Sequence, residues 1–105
     1  MNNPFVIKDA FFEVKNFKKW QHYKKRKPPW IKLHSDLLND YHFSCLQDDS
    51  KLHLIMIWLL ASQSNNKLPV DSGWIAKKIN VNGNLDLKLL IDKGFLVVDS
   101  SVIAK

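Results

Sequence analysis

Between Glu13 and Asp36 the chain carries eight lysines and arginines and no acidic residue. They are Lys15, Lys18, Lys19, Lys24, Lys25, Arg26, Lys27 and Lys32, half of all the Lys and Arg present. Trp20, His22, Tyr23 and Trp30 are interleaved with them. Cations in such a run neutralise phosphates, and exposed aromatic rings stack on unpaired bases. A solvated basic loop would have the same composition, with Trp20, Tyr23 and Trp30 serving only to tie it to a core.

A second group of polar side chains falls late in the sequence. Asn82, Asn84 and Lys88 stand on the exposed side of an expected helix start. An Asn amide pairs bidentately with adenine, and a Lys reaches guanine or phosphate. The same asparagines serve equally well as turn and cap residues, and Asp86 and Asp92 set negative charge beside them. Lys77 and Lys78 lie on the outer side of the preceding helix, where phosphate contact and plain solvation both account for them.

Catalytic and metal chemistry find little footing. His42 and Cys45 are the closest approach to ligand spacing, and no second pair accompanies them. Asp48 and Asp49 read as helix-start residues rather than a carboxylate pair. With three glycines in the chain there is no Gly-rich phosphate loop, and no nucleophile elbow occurs. A binding protein without cofactor or metal is expected, not an enzyme.

The elements that position these residues belong to one domain of 105 residues, with net charge +6 and a hydrophobic fraction of 46%. The division expected is a flexible N-terminus over 1–10 and a domain over 11–105, with the basic arm at about 15–32. The single cysteine rules out an internal disulfide and favours a reducing, cytoplasmic setting. The N-terminus has no signal-peptide pattern, and the apolar run from Leu54 to Ala61 is too short to span a bilayer.

Alternation over Phe11 to Phe17 predicts a strand, and Pro28-Pro29 stops any helix from crossing the arm. Trp30, Leu33, Leu37, Leu38 and Tyr41 recur at helical spacing, while Trp30 to Leu33 also fits a strand entering a helix near Ser35; a helix over Leu33 to Asn39 satisfies both. The clearest helix begins near Asp48 and is apolar almost all round from Leu52 to Ala61, so it should be central in the core. Asn65 or Asn66 should end it in a left-handed conformation. Asp71 should cap a helix over Ser72 to Ile79 with Ile75, Ala76 and Ile79 inward.

A three-residue turn, Asn80-Val81-Asn82, should then lead to a second helix over Asn84 to Lys93, inward at Leu87, Leu90 and Ile91 and stopped by Gly94. Strand-forming Phe95 to Val98, a turn at Asp99 to Ser101 and a returning strand at Val102 to Ala104 complete the order. Helix, turn, helix and hairpin predict a mainly α fold with a small β component, a winged helix-turn-helix.

The segments WIKLHSDLL, LHLIMIWLLASQ, WIAKKI and LIDKGFL resemble a group of phage and prophage proteins, similar to the N-terminal winged-helix domain of phage replisome organisers. The resemblance covers about residues 11 to 98. It implies a protein of the bacterial cytoplasm that binds origin DNA and works with host or phage replication proteins, in replication initiation or transcription control. By position, the recognition helix would be Asn84 to Lys93, with Lys77 and Lys78 alongside. A protein-interaction adaptor of phage origin, acting on a host complex or as a homodimer, is the alternative, using apolar surface from the four tryptophans.

Overall fold

The computed structural model describes residues 5–17 and 28–99. Within them the chain forms strand β1 (Val6–Val14), a 3-10 helix (Ser35–Asn39), α1 (Tyr41–Ser44), α2 (Asp48–Ser62), β2 (Leu68–Asp71), α3 (Ser72–Lys78), α4 (Leu87–Asp92) and β3 (Leu96–Val98). The three strands make one antiparallel sheet in the order β2-β1-β3. This is a small α+β domain, and it corrects the mainly α winged helix-turn-helix expected from the order of patterns.

The correction has a specific origin. The N-terminal strand is central in the sheet, paired on one side at Phe12 with Leu68 and on the other at Val14 with Leu96. Local pattern announced β1 but not its partners, and β2 was not expected at all, since Leu68–Asp71 is short and contains Pro69. The partner of β3 is β1. The returning wing strand at Val102 to Ala104 lies outside the described residues. So does the turn beyond Asp99, whose N–H donates to the Phe11 carbonyl at 2.7 Å.

The strand also begins at Val6, so residues expected in a loose end belong to it. From Ala10 it alternates cleanly: Ala10, Phe12 and Val14 are buried, while Phe11 and Glu13 face out. An irregularity between Val6 and Phe11 shifts the register, and Asp9 takes a left-handed φ of 62° there, a conformation Asp tolerates better than most residues. Side chains close both ends of the β1–β2 pair. The Asn66 amide oxygen accepts from the Val14 N–H at 2.7 Å and its nitrogen donates to the Val14 carbonyl at 3.3 Å. At the other end, Ser72 N–H donates to the Phe5 carbonyl at 2.9 Å and Ser72 Oγ accepts from the Phe5 N–H at 2.7 Å.

Helix α2 lies at the centre of the core, with Leu54, Ile57 and Ala61 fully buried. Its apolar circumference is not wholly covered, since Leu52 and Leu59 remain exposed. Ile75 and Ile79 follow from α3 and its end, and Leu87 and Leu90 from α4, all buried as the periodicity predicts, whereas Ala76 and Ile91 are half-buried.

Three helices end on left-handed residues: Asn65 and Asn66 after α2, Asn80 after α3 and Gly94 after α4. Each ending returns an N–H to the last turn: Asn66 to Ala61, Val81 to Ala76 and Phe95 to Leu90. Among the described residues, no helix is long and apolar enough to cross a membrane.

Replacing Phe12, fully buried at the centre of the sheet, with Ala should cost about 3–5 kcal/mol of unfolding free energy. Asn66→Ala should cost about 1–3 kcal/mol by orphaning two backbone groups of Val14. Urea unfolding checks both, and an unchanged midpoint for Asn66→Ala would contradict the bridging role.

Candidate nucleic-acid interface

The basic run is held at both flanks. Lys15 donates its N–H to the Phe95 carbonyl at 3.1 Å, and Phe17 two residues later is buried. Pro28 is buried too, and its carbonyl accepts from Gln63 Nε2 at 2.9 Å, just past the end of α2. Six of the expected phosphate-binding cations, Lys18, Lys19, Lys24, Lys25, Arg26 and Lys27, lie between these flanks and outside the described residues, as do Trp20 and Tyr23. Lys15 and Lys32, the outermost cations of the run, are exposed and line one cavity of about 260 Å³.

The second group is less cohesive. Lys77 and Lys78 are exposed in the last turn of α3, where their charge suits the helix dipole. The Lys78 ammonium lies 5.3 Å from the centre of the Trp74 ring. Asn82 and Asn84 are exposed in the link that runs from Ile79 to Asp86, not at a helix start.

The expected second helix over Asn84 to Lys93 therefore begins later, at Leu87, because Asp86 supplies the cap by accepting from the Leu89 N–H at 3.0 Å. The tight turn after α3 closes at Asn80 and Val81, and the chain needs the further residues to reach that cap. Lys88 is engaged with Asp92 at 2.6 Å. That hydrogen bond, with the Asp92 charge and more weakly that of Asp86, holds the Lys88 ammonium above its ordinary pKa. None of Lys77, Lys78, Asn82, Asn84 or Lys88 lines the cavity between Lys15 and Lys32.

The segment between the arm and α2 departs furthest from expectation. Trp30, Leu33, Leu38 and Tyr41 are exposed, Leu38 at 88% and Tyr41 at 74%, and of the predicted helical face only Leu37 is half-buried. Trp30, expected as an anchor, is 70% exposed. Two caps explain why no continuous helix forms. Asp36 N–H donates to His34 Nδ1 at 3.1 Å, which starts a short 3-10 turn, and Phe43 N–H donates to Asp40 Oδ1 at 2.9 Å, which starts α1 afresh. Helical spacing was present, but among the described residues no neighbour covers the face it implied.

Sequence reasoning missed the cavity altogether. Its deeper residues, Val14, Phe17, Leu37, Trp58 and Phe95, come from separate parts of the chain. The signal available was only the cation pair Lys15 and Lys32 bracketing the arm. Among the described residues, no group of three or more His, Cys, Asp or Glu converges as a metal site would require. No protein-family model matches the sequence, and no characterised protein or solved structure matches it.

Asp86→Ala should destabilise the fold by about 0.5–2 kcal/mol through loss of the α4 cap, whereas Asp86→Asn should cost far less. Thermal unfolding of the two variants checks the assignment, and equal losses would contradict it.

Proposed function

We propose that this chain is a nucleic-acid-binding module, with DNA as its polymer, acting through phosphate contacts rather than through base reading by the α4 region. The observation that carries the reading is the acid-free basic run whose two flanks, Phe17 and Pro28, are both buried in the body of the domain. Anchored flanks lower the entropy lost when the cations between them order on a polyanion. The exposed cations Lys77 and Lys78 add charge without sequence preference.

Asn82 and Asn84 lie in a link, and Lys88 is paired with Asp92, so these three contribute little base recognition. The likeness of WIKLHSDLL and the helix after it to phage replication proteins supports a place in phage DNA replication initiation or transcription control, in the bacterial cytoplasm.

A second reading, a docking adaptor for host or phage proteins, is favoured by the exposed apolar side chains of Trp30, Leu33, Leu38 and Tyr41. Recovery of the same host protein with and without nuclease, lost on Leu38→Lys, would support it.

Fluorescence anisotropy with labelled duplex and single-stranded DNA over a salt series tests the main reading. Affinity should fall steeply with salt, with a log–log slope of about 0.7–0.9 per phosphate neutralised. Replacing Lys24, Lys25, Arg26 and Lys27 together with Gln should flatten that slope by about 3, while Lys88→Gln should barely change it. Absence of binding to either polymer at low salt would end the proposal.

A further inference from the structure

The cavity at the base of the basic run has features that a surface dent lacks. Its deeper side is aromatic and aliphatic, with Phe17 buried and Leu37, Trp58 and Phe95 half-buried. Trp58 is held in place by Phe43, whose ring stacks on it at 6.4 Å between centroids and 25° between planes. Phe43 does not line the cavity, so one indole face is occupied by packing while Trp58 still contributes to the cavity wall. At about 260 Å³ the space suits one planar ring system rather than an extended ligand.

The exposed rim carries both signs of charge. Lys15 and Lys32 bring cations at the two ends of the basic run, and Asp36 and Asp40 bring carboxylates beside them. Among the described residues, Asp40 uses only Oδ1, for the Phe43 N–H. A purely anionic ligand would meet two carboxylates, and a purely cationic one would meet two ammonium groups. A nucleotide within a strand matches the pattern, since its backbone is anionic while its base offers neutral N–H donors.

Resting on the nucleic-acid reading above, we propose that this cavity receives one unpaired base of a single strand, guanine by preference, with Trp58 as its stacking surface. Lys15 and Lys32 track the adjoining phosphates. Asp36 or Asp40 accepts from the Watson–Crick edge. Guanine presents two adjacent donors there, N1–H and the N2 amino group, which a carboxylate can accept together. Thymine presents one donor between two carbonyl oxygens, and those oxygens repel a carboxylate.

The test uses the full chain and three labelled strands: a short thymine strand, the same strand with one central guanine, and the same strand with an abasic site at that position. Anisotropy titrations should show the guanine strand binding about ten-fold more tightly than the abasic one, the usual scale of one stacked base. Asp36→Asn with Asp40→Asn, which keeps the oxygen that caps α1, should erase the guanine preference over thymine, while the loss of two negative charges raises the affinity of all three strands alike. Trp58→Ala, checked for folding by circular dichroism, should shrink the gap between guanine and abasic strands. Should that variant not fold, the two Asn substitutions decide alone.

If all three strands bind equally and with steep salt dependence, the cavity proposal is overturned while phosphate binding stands. If no strand and no duplex binds at low salt, both readings fall.

Discussion

The central position of β1 is the constraint on which the rest of the structure depends. A strand in the middle of a sheet must satisfy its N–H and C=O groups on both sides, or bury polar groups without partners. Here the partners come from residues far along the chain, Leu68 on one side and Leu96 on the other at Phe12 and Val14. Pairing at this strand therefore draws together both ends of the described domain. With Phe12 buried at its centre, it also forms the floor on which Leu54 and Ile57 of α2 find an apolar surface.

The end of β1 matters most for the proposed function. The strand stops at Val14, where Asn66 supplies the pairing that β2 no longer reaches, and Lys15 then bonds to Phe95 in the turn after α4. That junction sets where the basic run begins, and Gln63 at the end of α2 sets where it returns, at Pro28. Lys15 and Lys32 both line one cavity beside these fixed points. Electrostatic attraction for a polyanion needs only the charge of the run. A defined place for a base needs the scaffold.

Legibility in the sequence tracked how local the determining interaction was. Asp71 caps α3, accepting from the Trp74 N–H at 3.1 Å, and a side chain three residues from its partner can be recognised without tertiary knowledge. The left-handed asparagines after α2 and the Gly94 ending of α4 were legible for the same reason. The inward positions Ile75, Ile79, Leu87 and Leu90 followed from periodicity. The same periodicity failed at Trp30, Leu33, Leu38 and Tyr41, because spacing identifies an apolar face but not whether anything covers it. Asn84 was placed in a helix because the stronger cap, Asp86, lies two residues further on.

The sequence by itself determined the basic run, the chain's net charge of +6, the central apolar helix and the residues that start and stop α3 and close α4. Each of these depends on composition or on groups within one helical turn. Only the tertiary structure decided that the domain is α+β, since strand partners separated by more than fifty residues leave no local trace. It alone set Trp58 and Phe95 beside Lys15 and Lys32. A cavity exists only between elements, and its walls are chosen by how they pack.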